Sequence, residues 1–158
     1  IDFSMFWQGV AKRDLWLDGP MFWGISGGEW QSTGLKEHLD YYRPENTTSV
    51  FGPNTNAYFP KMYMSKDMNQ KVQTRYLQNG AYARLKNIQL GYTFPTQIIN
   101  KLHMQKLRVY VSAENVLTIT SLPSGFDPET TYSSYSDGNS GKTYPLQTTI
   151  SFGLNATF

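Results

Sequence analysis

The stretch that decides the fold is YPLQTTISFGLNATF, Tyr144–Phe158. Read back from its end, Phe158, Ala156, Leu154, Phe152 and Ile150 are apolar, while Thr157, Asn155, Gly153, Ser151 and Thr149 are small or polar. A period of two is that of a strand with one apolar and one polar face. Strands of soluble sandwiches run about 5–6 residues, and chain ends usually fray. A strand crossing hydrocarbon needs roughly 9–11 residues, with apolar side chains to lipid and polar ones to the lumen. The terminal segment meets that second requirement.

Composition points the same way. The 158 residues suit one domain, but only 39% are hydrophobic while 15% are aromatic, so the shortage is of aliphatic residues. Charged residues make up 16% of the chain, against about 25% in an average soluble domain. Tyr and Trp in such proportion suit a membrane interface or a sugar-binding surface. The net charge of +2 is too mild, and the Lys and Arg residues too scattered, for a nucleic-acid surface. The absence of Cys excludes disulfides, thiolate metal sites and thiol nucleophiles. No apolar run reaches the length of about 18 residues that a membrane helix needs. A mean hydropathy of -0.48 is no objection to barrel strands, whose alternation keeps the average low.

Three further segments alternate. The opening IDFSMFWQGV sets Ile1, Phe3, Met5 and Trp7 against Asp2, Ser4 and Gln8, which reads as the interior of a longer polypeptide. ARLKNIQLGYTF sets Ile88, Leu90, Tyr92 and Phe94 against Asn87, Gln89, Gly91 and Thr93; Leu85 and Ala83 fall out of phase, which predicts a bulge near Lys86. KLRVYVSAENVLTIT sets Leu107, Val109, Val111 and Ala113 against Arg108, Ser112 and Glu114, and its phase blurs after Glu114. Residues 82–94 and 105–120 are expected to form an antiparallel hairpin, with Pro95 ending the first strand and 95–104 making the turn. The connections run long, short, long. In outer-membrane barrels turns are short on the periplasmic side and loops long outside, so both long connections are expected outside the cell.

The first long connection contains STGLKEHLDYYRP, read as a short helix capped by Ser32 or Thr33, carrying Leu35 and Leu39 and stopped by Pro44. It also carries Trp16, Trp23 and Trp30, candidates for stacking on sugar rings, with loop packing as the competing role. His38 and His103 lack a metal spacing and read as surface or helix polar residues. DGNSG at 137–141 begins like a calcium loop but lacks the later acid, so a turn is preferred. Asp127 and Glu129 of GFDPE form a carboxylate pair, yet Asp-Pro is ordinary turn chemistry. Arg84, Lys86, Arg108 and Glu114 alternate toward the expected lumen as wall residues. No catalytic, metal or cofactor residue is assigned, and the alternative to a membrane strand set is a soluble β-rich carbohydrate-binding module.

RYLQNGAYARLKNIQLGYTFP, LRVYVSAENVLTIT, GFDPE, AKRDLW, LDYYRPENTTSVFGPNTNAYFP and the terminal SFGLNATF together resemble the C-terminal region of SusC/RagA-type TonB-dependent outer-membrane transporters. The resemblance covers nearly all of residues 1–158 in order. It implies an all-β fold of antiparallel up-and-down strands, the C-terminal part of a roughly 22-stranded transmembrane barrel with long extracellular loops. The plug, earlier strands and TonB-contacting part are absent from this stretch. It further implies a non-enzymatic importer of oligosaccharides or peptides in the outer membrane, working with a SusD-type surface lipoprotein and the TonB complex and contacting lipid. The row Ile150, Phe152, Leu154, Ala156 and Phe158 would then serve as the signal read by the barrel-assembly machinery. The sequence departs from the family's usual PENPNAYFP by an insertion, PENTTSVFGPNTNAYFP.

Overall fold

The computed structural model describes residues 1–27, 34–63, 67–131, 141 and 143–158. The chain divides into two compact units, Ile1–Arg13 with Gly80–Ser121 and Leu146–Phe158, and Asp14–Asn79 with Leu122–Pro145.

The first is a sheet unit. Its strands are β1 (Asp2–Val10), β4 (Tyr82–Thr93), β5 (Lys106–Thr120) and β6 (Thr149–Thr157), hydrogen-bonded in the order β1-β4-β5-β6, with every neighbouring pair antiparallel. The expected hairpin is present. Between β4 and β5 the chain turns through α2 (Thr96–Ile99) and a 3-10 turn (Asn100–Leu102), ending at His103 in the left-handed region with φ 54°. Pro95 stands at the N-cap of α2, where its missing N–H costs nothing.

The bulge falls at the expected place. Phe6 and Trp7 are consecutive on β1, yet they pair with Asn87 and Leu85, so Lys86 is the extra residue on β4. On β5 the same level holds two residues, since Asn87 pairs with Glu114 and Leu85 with Leu117. There Asn115 takes φ 52°, and this is where the sequence phase blurs. Its side-chain Nδ2 donates to Gln147 O at 3.1 Å and its backbone carbonyl accepts from Thr148 Oγ1 at 2.9 Å, tying the irregular level to the approach to β6.

The second is a loop unit with its own aromatic core. The short strands β2 (Asp14–Leu15) and β3 (Gln78–Asn79) pair antiparallel, and α1 (Pro20–Trp23) follows β2. Leu17, Phe22, Trp23, Phe59, Tyr76, Leu122 and Phe126 are buried together. Trp23 meets Phe22, Phe59 and Tyr76 edge to face, with centroids 4.9–6.3 Å apart, the arrangement that aromatic quadrupoles favour.

The helix expected at 32–43 is corrected. Among the described residues there is only a 3-10 turn, Lys36–Leu39; Ser32 and Thr33 lie outside them, and the cap position is Leu35. The cap bond comes from an unexpected side chain, with Leu35 N–H donating to His38 Nδ1 at 2.9 Å. His38 is therefore not a surface residue: it is 4% exposed, its ring edge-on to Phe59. The expectation of one short helix is also corrected, since among the described residues two four-residue helices, α1 and α2, accompany several 3-10 turns.

Candidate functional site

The register turns four sequence alternations into one surface. Phe3, Leu90, Val111 and Phe152 stand in one cross-strand row, and Met5, Ile88, Ala113 and Ile150 in the next; Tyr92, Val109 and Leu154 form a third. Past the bulge, Trp7, Leu85 and Leu117 continue the field, because the extra residue on β4 brings Leu85 back into phase. Large apolar side chains on this face are open, Phe152 being 84% exposed and Ile150, Leu154 and Phe158 also exposed. So extended an apolar surface needs an apolar environment.

The opposite face is mostly polar, exposed Phe6 in the row of Asn87, Glu114 and Thr149 being the large apolar exception. One row is Ser4, Gln89, Ser112 and Ser151, and another is Asp2, Gly91, Tyr110 and Gly153. Arg108 on β5 reaches across β4 to the Asp2 carboxylate, with Nε 3.2 Å from Oδ1 and Nη2 paired to Oδ2. It passes over Gly91, where any Cβ would collide with both charged groups. The Tyr110 ring likewise lies over Gly153 and carries the Arg108 guanidinium 4.9 Å from its centroid. Beyond the bulge, buried Arg84 donates through Nε to Thr118 Oγ1 at 2.7 Å. Arg84 and Arg108 thus occupy the polar face, where sequence alternation put them, and Glu114 joins Asn87 and Thr149 in its row.

In the loop unit, Arg43 is the organiser that sequence reading missed. Its Nε donates to Gly52 O at 2.6 Å and its Nη1 to Leu39 O at 2.7 Å, while its guanidinium lies 4.7 Å from the Tyr41 ring centroid. A bridge between Arg43 and Asn54 closes the inserted loop. Asp40 braces the other side, accepting from Asn54 Nδ2 at 2.8 Å and from Tyr58 N–H at 3.2 Å. The tip carries Val50, 94% exposed, and exposed Phe51. A lone Arg before Pro44 has no periodicity to mark it; the only hint is a glycine nine residues on.

Of the three tryptophans, Trp23 is 2% exposed and donates Nε1–H to Leu17 O at 3.1 Å, so its ring serves the core. Trp16 is half-buried, 5.7 Å from Trp23, and Trp30 lies outside the described residues. Asp127 is buried and accepts Glu129 N–H at 2.8 Å, a turn-forming arrangement. His103 caps the 3-10 turn Asn100–Leu102 through its backbone N–H, and of 137–141 only Gly141 is described. Among the described residues no cluster of His, Cys, Asp or Glu is arranged to hold a metal.

Beside the Arg43 clamp is a cavity of about 420 Å³, with Met21, Phe22 and Pro123 among its apolar walls and Glu37, His38 and Tyr58 among its polar ones. Tyr58 Oη accepts from Gln78 Nε2 at 3.1 Å, leaving its own O–H available. Burial raises the Tyr76 hydroxyl above its ordinary value of 10.0, and that hydroxyl donates to Tyr58 O at 3.1 Å.

Fold and site define a β-rich chain: an antiparallel four-stranded sheet, apolar on one face and polar on the other, with an ordered aromatic loop unit. The chain is 35% identical over 112 residues to TonB-dependent receptor P3 of Formosa agariphila, a match covering 66% of this chain and 11% of that receptor. TonB-dependent receptor P26 of the same organism matches 100% of this chain at 25% identity, over 16% of its own length. The RagAB peptide importer in its open-open state superposes with a TM-score of 0.59 at 20% identity, covering 99% of this chain and 15% of that one. The RagAB peptide transporter superposes at 0.60 and 21% identity, with 99% and 16% covered. No family model matches. The chain is thus homologous to TonB-dependent receptors and spans 11–16% of the length of these proteins. TonB-dependent receptors are non-enzymatic outer-membrane proteins, which assigns this chain to the outer membrane.

Proposed function

We propose that residues 1–158 form the C-terminal wall and outer loops of a TonB-dependent importer of peptides or oligosaccharides. The carrying observation is the succession of apolar rows, two of them crossing all four strands, opposite a face that is polar over most of its length. In this reading the apolar face meets lipid and the polar face lines the lumen. β1 and β6 are the sheet's edges, to be paired by the other strands of the barrel, since hydrocarbon cannot satisfy an open backbone edge. The loop unit stands outside the cell and meets substrate and a SusD-type lipoprotein; Trp16 is its tryptophan with ring surface to spare. TonB acts through the N-terminal part. Support for a peptide substrate is the fold shared with the RagAB peptide importer.

The wall reading is tested in intact outer membranes with Phe152→Cys and Ser151→Cys in a receptor free of other cysteines. Phe152→Cys should react only with a lipid-soluble thiol reagent and Ser151→Cys with a water-soluble one. Equal labelling of both by the water-soluble reagent would make the sheet part of a soluble module.

A further inference from the structure

We propose that the cavity of the loop unit is a subsite for a basic peptide segment; this rests on the importer reading and names the ligand chemistry of its loop unit. Three observations meet there. The first is a hydrogen-bond donor on a ring that the fold holds in place. His38 is 4% exposed and its Nδ1 accepts the Leu35 N–H, which fixes the hydrogen on Nε2. No described residue accepts from Nε2, and His38 lines the cavity. That N–H still reaches solvent in the cavity, where a ligand oxygen can take the place of water.

The second is the sign of the lining. Glu37 and Asp40 both border the cavity, and no Lys or Arg does among the described residues. Asp40 accepts only neutral donors, the Asn54 amide and the Tyr58 N–H, so its charge is not neutralised by a cation there. Glu37 and Asp40 are both exposed. The third is the apolar part of the lining, Met21, Phe22, Leu35 and Pro123. A complementary ligand carries an acceptor oxygen for the His38 N–H, an apolar stem and a cation for the carboxylates. A peptide with a Lys or Arg residue has all three: main-chain carbonyl, methylene stem and charged head. A neutral sugar offers acceptors but leaves both carboxylates unanswered, and an acidic peptide is repelled.

Binding of the tripeptides Ala-Lys-Ala and Ala-Glu-Ala to the purified intact receptor, followed by calorimetry at low salt, tests this. Ala-Lys-Ala should bind more tightly, and Glu37→Arg, a change at an exposed position, should weaken it about fivefold, the upper range for an exposed charge pair. Ser124→Trp, also at an exposed position of the lining, should block the cavity and abolish that binding. Equal affinity for the two peptides, or Ala-Lys-Ala binding indifferent to both variants, would overturn the subsite. Uptake by cells separates the two levels: peptide uptake with no preference for the basic one overturns the subsite alone, whereas uptake of neither peptides nor oligosaccharides overturns the importer reading with it.

Discussion

Gly91 shows how much one residue settles on a two-faced strand. In the sequence it is a small member of an alternation, with nothing to say that Asp2 and Arg108, far apart in the chain, would pair across it. In the structure its missing side chain is the passage through which β1 and β5 are joined over β4. Gly91→Val should break the ion pair and lower the temperature at which the folded receptor loses its compact electrophoretic form, while Asn87→Gln, on the same face, should leave it unchanged. Tyr76 makes the corresponding point in the loop unit. Its hydroxyl bonds Tyr58 O, which also accepts from Arg75 Nε at 3.3 Å, so Tyr76→Phe should cost about 1 kcal/mol, leaving that carbonyl a partner. Because burial raises its folded value above 10.0, the folded state holds the phenolic proton more tightly than the unfolded one. Its contribution is complete below pH 10.0 and fades as pH rises through the folded value. Protection of the loop unit from protease should fall over that range in the wild type, and by less in Tyr76→Phe.

At the scale of elements, what was legible followed from what the backbone period dictates. A strand fixes alternation, so the four long strands, the hairpin turn and even the slipped phase at Lys86 showed in residue order alone. The 3-10 turn at Lys36–Leu39 did not, because its cap is the His38 ring rather than a Ser or Thr hydroxyl, and its burial against Phe59 comes from a contact distant in sequence. For the same reason Arg43 and the cavity were invisible: they depend on which turns of an irregular segment meet, and no period encodes that. The terminal strand is where period and proposed function coincide. Ile150, Phe152, Leu154 and Ala156 pair with Ala113, Val111, Val109 and Leu107 of β5, so the row stands in register with an apolar row of its neighbour. Deleting Phe158 should reduce the heat-modifiable barrel recovered from outer membranes severalfold, and Asn155→Gln on the polar face should not. Equal yields would remove the assembly-signal role.

For the whole molecule, the question is whether the loop unit serves the barrel or a partner. Deleting residues 28–60 in the intact receptor addresses it coarsely, because that cut removes Phe59 from the aromatic core together with the Tyr41–Phe59 bridge, and so dismantles the unit. Loss of uptake or partner binding with insertion retained would place the unit outside the barrel's own folding; loss of insertion would make it structural. The inserted tip permits a finer cut. Val50 and Phe51 project from a loop whose base is fixed by the Arg43 donors, by the Arg43–Asn54 bridge and by the Gly52 N–H to Ser49 O bond at 3.0 Å. Val50 is almost fully exposed, while the Phe51 ring, 57% exposed, lies 5.9 Å from the Arg43 guanidinium, so replacing both with Ser should cost the fold no more than about 1 kcal/mol. A loop ordered beforehand loses little entropy on docking, so its exposed apolar tip is well suited to bind a partner. Val50→Ser with Phe51→Ser should therefore lower co-purification of the proposed SusD-type lipoprotein with the receptor at least tenfold, since burying one such side chain contributes about 1.5–3 kcal/mol, while barrel yield and protease resistance of the loop unit stay near wild-type levels. Unchanged co-purification would show that this lipoprotein docks elsewhere and that the insertion is neutral.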